Sequence, residues 1–169
     1  RSYLKDDYIF LKSFSLNIKE LKQCNYLILD GIDTIADIYL NDKYLLKNED
    51  YFISHKILLD KSLLKENNIL EIRFTSPYKY INQYDDKGLF KTYSETDPKS
   101  IVIRKPNYMF GWYWAPNIAD MGLTKEISIL STDEGYLDSY RYEYQFISDK
   151  QIQLDISIQY IKHHDSDIR

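Results

Sequence analysis

The sequence predicts an all-β protein that folds as an antiparallel β-sandwich with one short helix. Three observations lead to this class: many short runs alternate apolar and polar residues at the period of a strand, a single segment carries helix signals, and strands and helices do not alternate along the chain. The composition agrees, because 15% of the residues are aromatic, with 17 tyrosines, and such side chains suit pleated, half-buried surfaces.

Seven apolar or alternating runs are separated by polar or turn-forming segments. They occupy residues 8–16, 25–30, 34–40, 43–46, 51–59, 68–74 and 125–130. In the first run both faces are apolar apart from Lys12, which is typical of a strand near the middle of a sandwich. In the sixth, Leu70, Ile72 and Phe74 share one face and charged residues lie between them, so this face is predicted to lie in the core.

Two of the predicted strand pairs are hairpins. Asn41 and Asp42 form the turn of the first, although Asp tolerates a positive φ less well than Gly. The second has period-two apolar residues on both sides of a turn at residues 148–150. Because two strands do not form a stable sheet alone in water, residues 136–160 are predicted to begin a second sandwich, after a linker at residues 131–135.

The single helix is predicted at residues 77–87. Ser76 can cap its first turn, Pro77 fits the first helical position, and Gly88 stands where the helix would end. The polar residues 89–100 then predict a long connection. This connection leads into the segment that holds both tryptophans.

The segment at residues 104–122 contains Trp112, Trp114 and several other aromatic residues. Two glycines and two prolines break regular structure there, so the segment is predicted to be a loop that exposes aromatic planes. An aromatic plane can take the apolar face of a pyranose ring while neighbouring polar groups bind its hydroxyls. The residues predicted to bind a sugar in this way are Trp112, Tyr113, Trp114, Arg104, Lys105 and Asn107.

A structural role is the alternative for the same segment. Alternate aromatic residues could fill the interior of the sandwich or an interface with another domain. This interpretation is favoured for Phe110 and Trp114. For Trp112 and Tyr113 both interpretations stay open.

Charge and composition argue against several kinds of partner. The net charge is −4 and the lysines are scattered, so no basic surface for nucleic acid is predicted. No apolar run approaches the roughly 20 residues that span a bilayer, and a membrane is not an expected partner. The start of the chain lacks the basic and apolar regions of a signal peptide, which predicts a cytoplasmic location.

Metal and nucleophilic chemistry are not predicted. Cys24 is the only cysteine, which excludes an intrachain disulfide and a cysteine-based zinc site. Asp30, Asp33 and Asp37 cluster around Gly31 but lack the later glycine and glutamate of an EF-hand loop. Asp33 is therefore expected to make structural hydrogen bonds rather than to bind a cation. The three histidines have no convincing partners for metal binding or nucleophilic catalysis.

Residues 104–116 read RKPNYMFGWYWAP, and residues 29–42 read LDGIDTIADIYLND. These stretches resemble the N-terminal domain of β-mannosidase-like enzymes of glycoside hydrolase family 2. The family shows Arg-Lys followed by Tyr-x-Phe-Gly-Trp-Asp-Trp-Gly-Pro, and Gly-Val-Asp-Thr-x-Ala-x-Val-x-Leu-Asn-Gly, in the same order and at about the same spacing. Two departures matter, because Tyr113 replaces the Asp between the tryptophans and Asp42 replaces the Gly of the turn.

The resemblance implies a jelly-roll sandwich, galactose-binding-domain-like, for residues 1–132; strand patterns alone do not choose the jelly roll. It implies that residues 133–169 are a linker and the first strands of an immunoglobulin-like domain. The parent enzyme would hydrolyse a terminal β-mannoside with retention, using two carboxyl groups on a (β/α)₈ barrel of roughly 250 residues. Because this chain cannot contain that barrel, it is predicted to be non-catalytic, and no cofactor is implied.

The resemblance also implies partners. They are a carbohydrate and the rest of the parent chain, with the aromatic loop bordering the glycone pocket of the barrel. The family's Asp binds sugar hydroxyls there, whereas Tyr113 offers one neutral hydroxyl and cannot replace a carboxylate, so the family's sugar specificity does not transfer at this position. The alternatives are an independent carbohydrate-binding module and a purely structural domain in which Tyr113 fills an unused subsite.

Overall fold

The computed structural model describes residues 2–85, 88, 97–112 and 116–163. The strands are β1 (Tyr8–Ser15), β2 (Cys24–Leu29), β3 (Ile32–Asp33), β4 (Ala36–Leu40), β5 (Lys43–Asn48), β6 (His55–Leu59), β7 (Asn67–Phe74), β8 (Gly122–Leu123), β9 (Ile127–Thr132), β10 (Gly135–Ser148) and β11 (Gln151–Lys162). The α-helix α1 covers Pro77–Ile81, and short 3₁₀ helices cover Ser2–Lys5, Ile18–Glu20, Lys61–Leu63, Pro98–Val102 and Asn107–Phe110.

Two antiparallel sheets enclose the main core. One has the strand order β1-β7-β4-β5 and the other β6-β2-β9, with β3 and β8 forming a short additional pair. The predicted core face of β7 is confirmed, because Leu70, Ile72 and Phe74 are at most 6% exposed. Side chains from both sheets meet in one apolar cluster, which is the arrangement of a sandwich. Its buried members are Leu27, Leu29, Ile32, Ala36, Ile38, Leu40, Leu59, Leu64, Leu70, Ile72 and Phe74.

The first predicted hairpin is confirmed in its strands and its turn. β4 pairs with β5 in the antiparallel sense, and the two turn residues Asn41 and Asp42 both have positive φ, at 49° and 66°. Asn41 tolerates this conformation because its side chain is held by hydrogen bonds to Leu63, Asn68 and Ile69. Asp42 has no such set of contacts among the hydrogen bonds of the described residues.

The position of β1 differs from the prediction. It pairs with β7 and lies at the edge of its sheet, not near the middle. Its inner residue Phe10 packs edge-on against Phe74 with ring centroids 5.0 Å apart, whereas Ile9 and Leu11 are 59% and 66% exposed. Apolar residues on both faces therefore do not require a central position. β1 and β9 border an apolar cleft of about 640 Å³ between the sheets.

Two other elements are shorter than predicted. The start of α1 is confirmed, since Ser76 Oγ accepts a hydrogen bond from Lys79 N at 3.4 Å, but the helix ends where Asn82 N–H bonds back to the carbonyls of Tyr78 and Tyr80. The predicted strand at residues 51–59 is reduced to β6, because Asp50 Oδ1 accepts from Phe52 N at 2.8 Å and holds the preceding residues in a turn.

The second predicted hairpin is confirmed as β10 and β11. Their apolar residues face one another across the pair and share one exposed face. The hairpin is attached to the sandwich through Lys56 on β6, which bonds Asp138 at 2.8 Å and lies 3.9 Å above the Tyr136 ring. The predicted second sandwich stays a prediction. The exposed apolar residues on this shared face include Tyr140, Tyr142, Tyr144, Phe146, Ile152, Leu154, Ile156 and Ile158.

Candidate functional site

The predicted sugar-binding loop begins with two adjacent cations whose side chains take opposite directions. Arg104 forms a parallel β-bridge with Asp50, and successive side chains of extended backbone point to opposite sides. The Lys105 side chain is accordingly 0% exposed, and that of Arg104 is 71% exposed. One cation therefore faces the interior of the domain and the other faces solvent.

The buried cation is neutralised by Asp33, the last residue of β3. Lys105 Nζ donates to both carboxylate oxygens of Asp33, at 2.5 Å from Oδ2, and Thr34 Oγ1 donates to Oδ1 of the same carboxylate. Burial lowers the pKa of the Lys105 ammonium, and the negative charge of Asp33 opposes that change by favouring the charged form. Asp33 thus makes structural hydrogen bonds, as expected from the sequence.

The exposed cation is held by the turn that follows β5. Arg104 Nε donates to Asp50 Oδ2 at 3.3 Å, and Arg104 O accepts from Tyr51 N at 2.8 Å. The guanidinium also lies 5.7 Å from the centroid of the Phe52 ring, within the range of a cation–π contact. Because its Nε is directed at Asp50, Arg104 has a defined direction despite its exposure.

Asn48 connects the two segments that hold these cations. Its side chain is fully buried, and Nδ2 donates to Thr34 O at 2.6 Å and to Asp50 O at 3.1 Å. Its Oδ1 lies 2.6 Å from His55 Nε2 and can only accept, so the imidazole carries its proton on Nε2. Burial lowers the pKa of His55. The Asn48 amide thus connects β6 with Thr34, the neighbour of Asp33, and with Asp50, the partner of Arg104.

Beyond the two cations, the 3₁₀ helix Asn107–Phe110 anchors the loop to a second apolar cluster. Phe110 is fully buried there with Ile35, Ile81, Ile103 and Ala119, which confirms the favoured structural interpretation of Phe110. Gly111 follows with φ of 108°, a conformation that glycine adopts without strain. The chain therefore changes direction directly after its buried anchor.

The structure describes four of the six predicted sugar-binding residues, and they differ in exposure. Arg104, Asn107 and Trp112 are exposed, with Trp112 at 52%, and Lys105 is buried against Asp33. Tyr113 and Trp114 lie outside the described residues. The sugar-binding roles of all six stay predictions.

Sequence reasoning missed Asn48, Asp50 and Phe52 as parts of the site. Asp50 followed two residues later by an aromatic residue is a turn signal, because an Asp side chain often bonds the backbone two residues on. Nothing local marks Asn48, since its partners Ile32, Thr34 and His55 lie seven or more residues away in the chain.

Two absences among the described residues bear on function. Within residues 2–85, 88, 97–112 and 116–163, no three His, Cys, Asp or Glu side chains group as metal ligands would. In the same part of the chain, none of the helices combines the length and apolar character needed to cross a bilayer.

Comparisons with known proteins agree on one family. Residues 1–125 match the model of the glycosyl hydrolase 2 galactose-binding domain-like family. The chain is 27% identical to the β-mannosidase of Capra hircus over 147 residues, which is 81% of this chain and 16% of that protein. It is 28% identical to β-mannosidase B of Neosartorya fischeri over 132 residues, or 76% of this chain and 15% of the relative.

A solved structure shows the same fold. The β-D-mannosidase of Dictyoglomus thermophilum matches with a TM-score of 0.76 and 29% identity, over 92% of this chain and 20% of the other. The chain thus spans about one sixth to one fifth of the length of these proteins. The expected galactose-binding-like sandwich is confirmed by the family match and by this structural similarity.

Proposed function

Because this chain belongs to the glycosyl hydrolase 2 galactose-binding domain-like family, we propose that it is the non-catalytic N-terminal part of a glycosidase that hydrolyses terminal β-mannosides. The names of its relatives support this activity. The observation that carries the role of this domain is the exposed indole of Trp112, 52% accessible, on a loop whose base is fixed by the buried ion pair of Lys105 and Asp33. An exposed aromatic plane suits the apolar face of a sugar.

In this proposal the chemistry belongs to another part of the parent chain. A retaining glycosidase needs two carboxyl groups about 5 Å apart on a rigid frame, and a (β/α)₈ barrel supplies them. The segment at residues 104–122, called the Trp112 loop below, contributes one wall of the glycone pocket. In this proposal Tyr113 and Trp114 belong to the same wall. Arg104 and Asn107 supply donors to sugar hydroxyls. Lys105 acts through its bond to Asp33, which sets the direction in which the loop leaves the sandwich.

We also propose that the β10–β11 hairpin begins an immunoglobulin-like domain of the parent chain. Its eight apolar residues on one face would be covered by a second sheet formed by later residues, since an exposed face of that size is unusual for a monomeric protein. The contact of Lys56 with Asp138 and Tyr136 would then fix the angle between the two domains.

The test uses the full-length parent protein and two exposed aromatic residues of the same loop. With p-nitrophenyl β-D-mannoside as substrate, Trp112→Ala is expected to lower kcat/KM about ten-fold, equivalent to about 1.4 kcal/mol of lost transition-state binding. Tyr108→Ala is the matched control, because Tyr108 is 60% exposed, and it should leave kcat/KM unchanged.

Other outcomes would favour the alternatives. Unchanged kcat/KM for both Trp112→Ala and Tyr113→Ala would indicate a purely structural domain. Millimolar or tighter binding of free sugar that survives removal of the barrel and is lost in Trp112→Ala would indicate an independent carbohydrate-binding module, because half a pocket binds poorly. A parent protein without any β-mannosidase activity would overturn the proposed substrate.

A further inference from the structure

A small cleft lies beside the turn that holds Arg104. Its volume is about 140 Å³, or room for roughly five waters at about 30 Å³ each, which is the scale of one monosaccharide ring rather than of an oligosaccharide. Aromatic residues, hydroxyl-bearing residues and one lysine line it. The lining residues are Gly31, Tyr51, Phe52, Ile53, Ser54, Thr124 and Lys125.

The first wall is an exposed aromatic ring with a fixed backbone. Phe52 N donates to Asp50 Oδ1 at 2.8 Å, Tyr51 N donates to Arg104 O at 2.8 Å, and the Tyr51 ring packs edge-on against the Phe52 ring at 5.1 Å. The Phe52 side chain is nevertheless 61% exposed. An aromatic ring that is both held in place and open to solvent has little ordering entropy left to lose on binding.

The opposite wall is backbone held at close range by a glycine. Gly31 O accepts from Thr124 N at 2.8 Å and from Thr124 Oγ1 at 3.1 Å. A Cβ on Gly31 would lie 2.4 Å from Thr124 Oγ1 and 2.7 Å from Lys125 N, and φ of Gly31 is +64°. Glycine therefore lets the 124–125 turn approach, and the spacing between the two walls is built into the fold.

We propose that this cleft is a second carbohydrate subsite, which takes one pyranose ring against Phe52. Ser54 and Lys125 line the same cleft, and in this proposal their hydroxyl and ammonium groups supply hydrogen bonds to sugar hydroxyls. This combination of one apolar plane with several donors fits a sugar better than a purely apolar ligand. The inference rests on the proposed function for its ligand class only, since the described residues that line the cleft do not include Trp112.

The experiment measures binding of D-mannose, which is not hydrolysed, to the full-length parent protein by saturation-transfer difference NMR. Phe52→Ala in a Trp112→Ala background is expected to reduce the remaining mannose signal about five-fold, the loss expected for one aromatic–sugar contact. Phe52→Trp keeps a ring plane and should retain the signal. Tyr44→Ala is the matched control, because Tyr44 is also an exposed aromatic residue on the sandwich, at 50%, and it should have no effect.

Two results would overturn the proposal: an undiminished mannose signal in Phe52→Ala, or an equal loss in Phe52→Ala and Phe52→Trp, which would point to a local structural change. If thermal unfolding shows that Phe52→Ala is misfolded, the mannose signal is measured with Lys125→Ala instead. An undiminished signal in that variant would then overturn the proposal. The two proposals can fail separately. If the parent protein hydrolyses p-nitrophenyl β-D-mannoside but mannose binding does not depend on Phe52, only the subsite proposal is overturned. If mannose binding depends on Phe52 but no hydrolysis is found, only the proposed glycosidase function is overturned.

Discussion

Lys105 and Asp33 are 72 residues apart in the chain and form an ion pair that is almost entirely buried. Both carboxylate oxygens of Asp33 accept from the ammonium, so the interior charge is compensated. Such a pair adds little net stability compared with apolar residues, but it is costly to break, because the remaining charge stays in a medium of low polarity. The base of the aromatic loop therefore depends on both partners being present.

Removing one partner of this pair should destabilise the protein strongly. We expect Asp33→Asn and Lys105→Met each to lower the free energy of unfolding by about 3–5 kcal/mol, measured by urea denaturation. The double variant Asp33→Asn/Lys105→Met should lose much less than the sum, since no unpaired charge remains. Lys47→Met is the control, because the exposed pair of Lys47 and Glu49 should contribute about 1 kcal/mol or less. Additive losses in the double variant would contradict this account.

Two aromatic residues of one 3₁₀ helix should differ sharply in their effect on stability. Phe110 is fully buried and Tyr108 is 60% exposed. Phe110→Ala should lower the free energy of unfolding by about 3–5 kcal/mol, because it leaves a cavity in the second apolar cluster. Tyr108→Ala should change it by about 0.5 kcal/mol or less. Similar unfolding midpoints in urea for the two variants would show that Phe110 is not the anchor of the loop.

Stability should fall in mild acid through His55. Burial lowers the pKa of His55 in the folded state, while the unfolded chain keeps the ordinary value near 6.5. Below that value the unfolded state binds the proton more readily, so the free energy of unfolding falls as the pH drops from about 7 toward 5. The variant His55→Gln keeps a donor for Asn48 but does not titrate, and its stability should fall less over this range. Parallel pH profiles of wild type and variant would exclude His55 as the cause.

The turn between β4 and β5 should become more stable with glycine. Asp42 has φ of 66°, a left-handed conformation that strains most side chains by roughly 1–2 kcal/mol and Asp by less. Asp42→Gly should therefore raise the free energy of unfolding by up to about 1 kcal/mol. Asn41→Gly is the contrasting change, because it removes the side-chain hydrogen bonds to Leu63 and Asn68, and it should destabilise. Thermal unfolding midpoints of the two variants provide the test.

Local pattern was a good guide where neighbours in the sequence supply the forces. The alternation of Leu70, Ile72 and Phe74 predicted the core face of β7, and Asn41 with Asp42 predicted a hairpin turn, because a strand has period two and a tight turn is formed by adjacent residues. The same reasoning placed β1 wrongly. The two apolar faces of β1 indicate that it contacts apolar surface. Only the strand order β1-β7-β4-β5 shows that it lies at an edge of its sheet.

The sequence by itself determined the sandwich class, the two hairpins and an aromatic loop that begins with two cations, since all of these depend on residues within a few positions of one another. Only the tertiary structure decided that Lys105 faces inward to Asp33 while Arg104 faces outward to Asp50. The reason is physical: adjacent cations are equivalent in composition, and which of them is buried depends on a carboxylate brought close by strand pairing across more than fifty residues.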